Sequence, residues 1–310
     1  MNRLVVLGSV NADHVLRVPH FPRPGETLAG HSYRVFPGGK GANQAVAAAR
    51  LGAAVSFIAR IGADAIGQQM RDGFARDGID VSAVEQDERL PTGIAIIYVS
   101  DEGENSIGLS AEANGALDTA MVRRHEALIA GAHTLLLQLE VPLDSVLEAA
   151  RLARAHGTRV VLNPAPARTL PAELLVLVDL ITPNQTEAEL LTGVKVSDQA
   201  SAARAAARFH QMGIAEVMIT LGSQGVYCSK GTQQQLIPGF RVEAVDTTAA
   251  GDTFNGALLA AELAGADFQQ AVRFAHGAAA LSVTRLGAQS AIPLKAEVEA
   301  FLLAHDEREA

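Results

Sequence analysis

Thr134-Leu135-Leu136-Leu137-Gln138-Leu139, a helical pattern from Val146 to Arg154, and then Arg159-Val160-Val161-Leu162 form the stretch that decides the fold. Two short apolar runs separated by one helix have the pattern of buried strands joined by a crossover. Working outward, Leu4-Val5-Val6-Leu7 and Val55-Ser56-Phe57-Ile58-Ala59 read as further core strands, with a helix from Ala65 to Arg76. Helices are expected at Met121 to Ile129, Arg204 to Gln211 and Phe268 to Val283, and strands at Leu180-Ile181 and Val217 to Leu221. Such alternation predicts an α/β protein with a doubly wound, mostly parallel sheet flanked by helices. Ligands then gather at the carboxyl ends of the strands. Glu140, Asn163 and Asn184 end three of them and can line one crevice. Asn163 is read as a turn into Pro164.

Composition narrows the function classes. Hydrophobic residues make up 48%, enough for a large core and against disorder. Lys and Arg number 25 against 34 Asp and Glu, a net charge of −9 that argues against a nucleic-acid partner. Any phosphate must therefore be held locally, by backbone amides or metal. Cys228 is the only cysteine, which excludes an intrachain disulfide, and it is expected to be a small buried residue in a strand. Met1 to Gly8 lacks the apolar length of a signal peptide, and no apolar run is long enough to cross a bilayer. A cytoplasmic protein is expected, with no membrane partner. The charged residues from Asp306 to Ala310 are expected to fray.

Chemistry concentrates in Asp246-Thr247-Thr248-Ala249-Ala250-Gly251-Asp252, which runs into the helix former Ala257 to Leu263. First-turn N–H groups and the helix dipole attract an anion there, and three residues of minimal side chain let a ligand approach the main chain. Asp252 is placed to accept a proton from an attacking hydroxyl, although an ordinary capped helix has the same composition. Near the start, Asn11 and Asp13 stand two apart and share one side of an extended chain. An amide beside a carboxylate suits hydroxyl groups, and a turn would use the same residues. Pro37-Gly38-Gly39-Lys40-Gly41-Ala42-Asn43-Gln44 precedes a helix expected from Ala45 to Leu51; it is neither a Walker A loop nor GxGxxG. Its glycines leave room for a substrate, and Asn43 offers both a donor and an acceptor. A strand within Thr27 to Val35 and a hairpin from Thr92 to Leu109, apolar on both faces, stand outside the main alternation. Such a hairpin needs cover on both faces, from substrate on one and a second subunit on the other, or else it is a strand buried within one chain.

Gly8 to His14, Gly38 to Ala49, Asn163 to Arg168, Thr182-Pro183-Asn184 and Val245 to Asp252, in that order, resemble the PfkB-type carbohydrate kinases of the ribokinase-like superfamily. The resemblance implies one ribokinase-like domain over 1–310, with a small β lid from about 12–36 and 92–110 that pairs in a homodimer. It implies ATP-dependent phosphorylation of D-ribose at the 5-hydroxyl, giving D-ribose 5-phosphate and ADP. Asn11, Asp13, Gly39, Lys40, Asn43 and Glu140 would hold the sugar, Lys40 through its backbone. Asp252 would be the base, and the amides of Ala250, Gly251 and Asp252 the anion hole. Asn184, Thr220, Gly222, Gly225 and His276 would hold the nucleotide, with His276 against the adenine. Glu187 would reach Mg²⁺ through water. Asp246, Thr248, Ser282, Arg285 and Gly287 would wrap K⁺, mostly with backbone carbonyls.

Two positions depart from the family pattern: Gln185 stands where many relatives have Glu, and Gln289-Ser290-Ala291 where Gln-Pro-Ser is common. The second leaves the last cation ligand open. Rival readings are a kinase for deoxyribose or fructose and a non-catalytic sugar-binding regulator. The Asn11/Asp13 carboxylate disfavours a phosphosugar, 4% aromatics with no Trp disfavour a nucleoside, and the retained Gly251 and Asp252 disfavour the regulator.

Overall fold

The computed structural model describes residues 2–309. Among the described residues thirteen strands form two sheets: β1 (Arg3–Leu7), β2 (Asn11–Val18), β3 (Ser32–Gly38), β4 (Ala54–Gly62), β5 (Val84–Asp87), β6 (Gly93–Ser100), β7 (Asn105–Ser110), β8 (Thr134–Leu137), β9 (Arg159–Leu162), β10 (Leu180–Ile181), β11 (Glu216–Thr220), β12 (Val226–Lys230) and β13 (Gln233–Ile237). The large sheet runs β13-β12-β11-β10-β9-β8-β1-β4-β5. Every pair from β5 to β11 is parallel, and the two pairs at one edge, β11–β12 and β12–β13, are antiparallel.

The all-apolar strands follow from this topology, because helices cover both faces. In β1, Leu4 and Val6 join one core cluster while Val5 and Leu7 join the other. The first cluster holds the helices Lys40–Arg50, Ala250–Leu263 and Phe268–Val283, and the second those of the central segment. Strand order reverses at β1, which lies between β4 and β8. The crevice beyond the carboxyl ends of β1 and β8 is therefore the natural ligand site.

The smaller sheet, β3-β2-β6-β7, continues from the end of β1. Its β2 pairs with β6 in parallel and with β3 in antiparallel register, so Asp13 lies opposite Phe36 and Ala95, and His14 opposite Val35 and Ile96. One face closes a cleft of about 540 Å³ lined by Asp13, Val15, Phe36, Ile97 and Ile107. The opposite face carries exposed Tyr33, Val35 and Ile96.

Several boundaries depart from expectation. The helix expected at Met121 to Ile129 is two, Thr119–Arg124 and Glu126–Ala130, broken at His125, where ψ is 15°. The helix expected from Ala45 begins at Lys40, with Gly39 (φ 92°) as its N-cap, because the glycine supplies a turn that other residues resist. The lid strand within Thr27 to Val35 is displaced to Ser32–Gly38. Strands β5 and β13 had no counterpart in the periodicity, since their residues are mostly polar, and β12 was foreseen only as the strand of Cys228. Cys228 is buried in β12, and burial pushes its thiol up to about 12, so it is an inert core residue. Asp306 to Glu309 continue the helix Lys295–Glu309 instead of fraying, and Ala310 lies outside the described residues.

Candidate active site

Two helix N-termini meet at the crevice. The Lys40–Arg50 and Ala250–Leu263 helices cross at Gly256, where an added Cβ would lie 2.5 Å from Ala47 Cβ and 2.7 Å from the Ala48 nitrogen. That close approach brings Asp252, in the first turn of one helix, against Asn43 and Gln44 in the first turns of the other. Asp252 is buried; Asn43 Nδ2 donates to its Oδ2 (3.0 Å) and Gln44 Nε2 to its Oδ1 (2.8 Å). Asn43 is also buried, and its Oδ1 has no partner. An acceptor left unpaired in a burial site is costly, and a ligand hydroxyl would satisfy it.

The remaining predicted sugar residues surround this point. Glu140 Oε2 accepts from Ser9 Oγ (2.6 Å) and from the Lys40 N–H (3.0 Å), with Asn11 Nδ2 at 3.5 Å. Asn11 Oδ1 accepts from Asn114 Nδ2 (2.7 Å), which also donates to the Val10 carbonyl. That contact turns the Asn11 amide nitrogen toward Glu140. Gly39 is required twice, for its φ of 92° and because a Cβ there would sit 2.7 Å from the Asn11 nitrogen.

Charge is concentrated here. Burial, reinforced by Glu140 and Asp252 and partly offset by Lys40, pushes the Asp13 carboxyl up from 3.8 to about 7. Burial alone would lower the Lys40 ammonium, but Asp252, Glu140, Glu187 and Asp13 outweigh it and raise it. These carboxylates keep the Lys40 ammonium charged but outnumber it, so an anionic ligand would need backbone N–H groups or a metal ion as well.

At the turn expected to bind an anion, Ala249 adopts a left-handed conformation (φ 58°), uncommon without a glycine and a mark of a constrained site. The Ala250 N–H points at the Thr247 carbonyl (3.3 Å), while Gly251 and Asp252 precede the first possible intrahelical partner for their N–H groups. A Cβ built on Gly251 would meet nothing within 4 Å, so the crevice is open there. Of the three expected amides, two are thus free to receive an anion.

The expected nucleotide residues lie along the neighbouring strand ends. Asn184 bridges to Thr220 beside β11, and the Gly222–Gly225 turn is closed by Leu221 N–H on the Gly225 carbonyl (2.8 Å). A Cβ on Gly239 would touch both the Gly225 backbone (3.5 Å) and His276 Nδ1 (3.6 Å), so turn and histidine share one wall. His276 is buried with Nε2 unpaired, and burial pushes it down to about 4, leaving a neutral ring. Glu187 closes a capping box with Asn184, whose N–H and Nδ2 donate to its two oxygens (2.8 and 3.0 Å). Burial raises the Glu187 carboxyl, against the pull of the Asn184 N–H and Lys40.

Asp246, Thr248 and Gly287 are also brought together. Asp246 Oδ1 accepts from Thr248 N and Oγ1, and Oδ2 from the Gly287 N–H (2.9 Å). Burial opposes the charged form, yet these bonds hold its carboxyl below the usual range. The Val283 carbonyl accepts from the N–H groups of Val245 and Asp246, which draws the helix end carrying Ser282 and Arg285 against this loop. Neither of those two offers its side chain: Ser282 Oγ donates to the Ala279 carbonyl, and Arg285 pairs with Glu297 (2.7 Å).

Four residues of the site escaped sequence reading: Ser9, Gln44, Asn114 and Gln138. Gln44 directly follows Asn43 and sits at the period of a buried helix face, a signal that was present. Asn163, expected only to turn the chain, accepts from Gln44 Nε2 (3.0 Å) and donates to the Thr182 carbonyl (2.9 Å).

A crevice at a strand-order reversal, with helix N-terminal amides beside a buried carboxylate, defines a group-transfer enzyme for an anionic donor and a hydroxyl acceptor. The chain belongs to the pfkB family carbohydrate kinases, whose model matches residues 1–295. It is 54% identical over 299 residues to the ribokinase of Haemophilus influenzae, covering 96% of this chain and 98% of that protein. The structure of Arabidopsis thaliana ribokinase complexed with ribose and ATP aligns at a TM-score of 0.92, with 32% identity, over 97% of this chain and 99% of that one. The deoxyribokinase of Salmonella typhi is 36% identical over 292 residues, covering 94% of this chain and 95% of that protein.

Proposed function

We propose that the chain transfers the γ-phosphoryl group of Mg·ATP to the 5-hydroxyl of D-ribose, giving D-ribose 5-phosphate and ADP. One observation carries the reading: Asp252 is held at both oxygens by amides of a facing helix, at the turn where Gly251 and Asp252 present unpaired N–H groups. The hydroxyl attacks phosphorus as the bond to the β-phosphate oxygen breaks, and Asp252 takes the hydroxyl proton. The Gly251 and Asp252 amides, with the Lys40 ammonium nearby, stabilise the equatorial charge of the transferring group. Asn11, Asp13, the Gly39–Lys40 backbone, Asn43 Oδ1 and Glu140 hold the sugar hydroxyls. Asn184, Thr220, Gly222 and Gly225 hold the nucleotide, whose base lies against the uncharged His276.

Each Glu187 oxygen already accepts one N–H and retains lone pairs, which fits contact with Mg²⁺ through water. The Asp246 loop, tied to the Val283 carbonyl and the Gly287 N–H, would hold K⁺ through remaining carboxylate and carbonyl lone pairs; such an ion would order the turn without touching substrate. The small sheet serves as a lid that excludes water from the cleft. Its outer face, with Tyr33, Val35 and Ile96, pairs with a second copy in a homodimer. No helix among the described residues is long and apolar enough to cross a membrane. A cytoplasmic setting accords with the single buried cysteine.

Replacing Asp252 with Asn tests the assignment. Turnover should fall about a hundred- to ten-thousand-fold while ATP binding persists. Near-normal turnover would refute it. The similarity to a deoxyribokinase favours deoxyribose as the second reading; ADP release with ribose, deoxyribose and fructose separates these.

A further inference from the structure

We infer that Gln44 is a positioning residue that sets the orientation of the Asp252 carboxylate, and that Gln138 supports it by pairing the Gln44 oxygen. The inference rests on the reading of Asp252 as the base. Gln44 and Gln138 are buried (0% and 1% exposed) and lie in no part of the ligand-lining set described above.

The chain of hydrogen bonds has a direction that can be fixed from its ends. The Thr182 carbonyl can only accept, so Asn163 must donate Nδ2 to it (2.9 Å) and turn its Oδ1 toward Gln44. The Asp252 carboxylate, at the other end, also accepts. Gln44 therefore gives one N–H to Asn163 Oδ1 (3.0 Å) and the other to Asp252 Oδ1 (2.8 Å). Its own oxygen then faces Gln138 Nε2 (2.5 Å), which donates. A flipped Gln44 amide would set oxygen against two oxygens and nitrogen against nitrogen. Asn163 and Asp252 thus select one orientation, and Gln138, whose Oε1 has no partner, adapts to it by donating to the Gln44 oxygen.

Burying an amide costs about 1–3 kcal/mol unless it is paired, and a methionine would fill the same volume without that cost. The polar group is explained by what it does to Asp252. Asn43 alone would leave the carboxylate free to rotate about its single bond to that amide. With Gln44 on the second oxygen, both oxygens are tied and the plane of the carboxylate is fixed. Misplacement of a reacting group by about 1 Å can cost about a hundredfold in rate, so an effect on turnover of that order is expected.

The test compares Gln44→Met, Gln138→Met, Asp252→Asn and the double variant Gln44→Met/Asp252→Asn in steady-state kinetics with the free sugar acceptor and ATP. Gln44→Met should lower kcat about ten- to a hundredfold, with both KM values within about threefold of the parent. Gln138→Met should show the same signature at about three- to tenfold. In the Asp252→Asn background, Gln44→Met should cost less than about twofold more, because its action runs through that carboxylate. A kcat for Gln44→Met within twofold of the parent would overturn the proposal. So would a loss carried by KM, or the same fold loss repeated on top of Asp252→Asn. If the double variant turns over too slowly to measure, the division between kcat and KM in the single variants decides. If Gln44→Met does not fold, Gln138→Met decides, and an unchanged kcat there overturns the proposal. Near-normal turnover in Asp252→Asn alone would instead remove the base assignment.

Discussion

Replacing Asp13 with Asn should separate the stability of this protein from its activity, and pH should reveal the separation. In the folded protein burial raises the Asp13 carboxyl from 3.8 to about 7, with Glu140 and Asp252 adding to the effect. The folded state therefore binds this proton more tightly than the unfolded chain does. The resulting stabilisation is fully present below about pH 4 and is lost as pH rises through about 7. At about 1.4 kcal/mol per pH unit, the interval from 3.8 to about 7 caps the loss at roughly 4 kcal/mol. Asn keeps the shape and removes the charge. The gap in unfolding free energy between variant and parent should widen in favour of the variant by about 2–3 kcal/mol from pH 5 to pH 8. Urea denaturation at the two pH values measures it. The same substitution should raise KM for the sugar about ten- to a hundredfold, as a charged acceptor is worth about 1.5–3 kcal/mol. A gap that does not change with pH would refute the reasoning, because Asp13 would then titrate as an ordinary carboxylate.

Gly39→Ala should destabilise the protein by at least about 2 kcal/mol in urea denaturation, since the backbone is left-handed there and the new Cβ would press on the Asn11 nitrogen. Asp246→Asn should raise the K⁺ concentration for half-maximal activation at least about fivefold, read from turnover in K⁺ titrations against tetramethylammonium; an unchanged midpoint would remove this carboxylate from the cation site. Val35→Asp, on the outer face of the small sheet, should convert a dimer to monomers in sedimentation velocity, because one unpaired charge per copy would be buried at the pairing face.

Much of this was legible in the chain itself. Hydrophobic runs such as Leu4 to Leu7 and Arg159 to Leu162 announced the parallel sheet, because a strand covered on both faces must be apolar throughout. The glycines before Lys40 and the small residues before Asp252 announced two places where a ligand can reach backbone. Local signals failed where the structure was set by distant partners. The β12–β13 hairpin is polar at its outer strand and joins the sheet by edge pairing, which needs no periodicity. The break at His125 reflects how two short helices pack, and nothing in Met121 to Ile129 marks it.

The amino-acid order by itself determined which side chains could serve: one carboxylate at a helix start, an amide and a carboxylate two apart, and a glycine-rich turn. It could not determine their orientation, because Asn43 and Asp252 are separated by 209 positions and their contact depends on two helices crossing where Gly256 has no Cβ. Only the tertiary structure decided that Gln44 donates to Asp252 and Asn114 to Asn11. Hydrogen bonds have direction as well as distance, and direction exists only once the partners have been brought together.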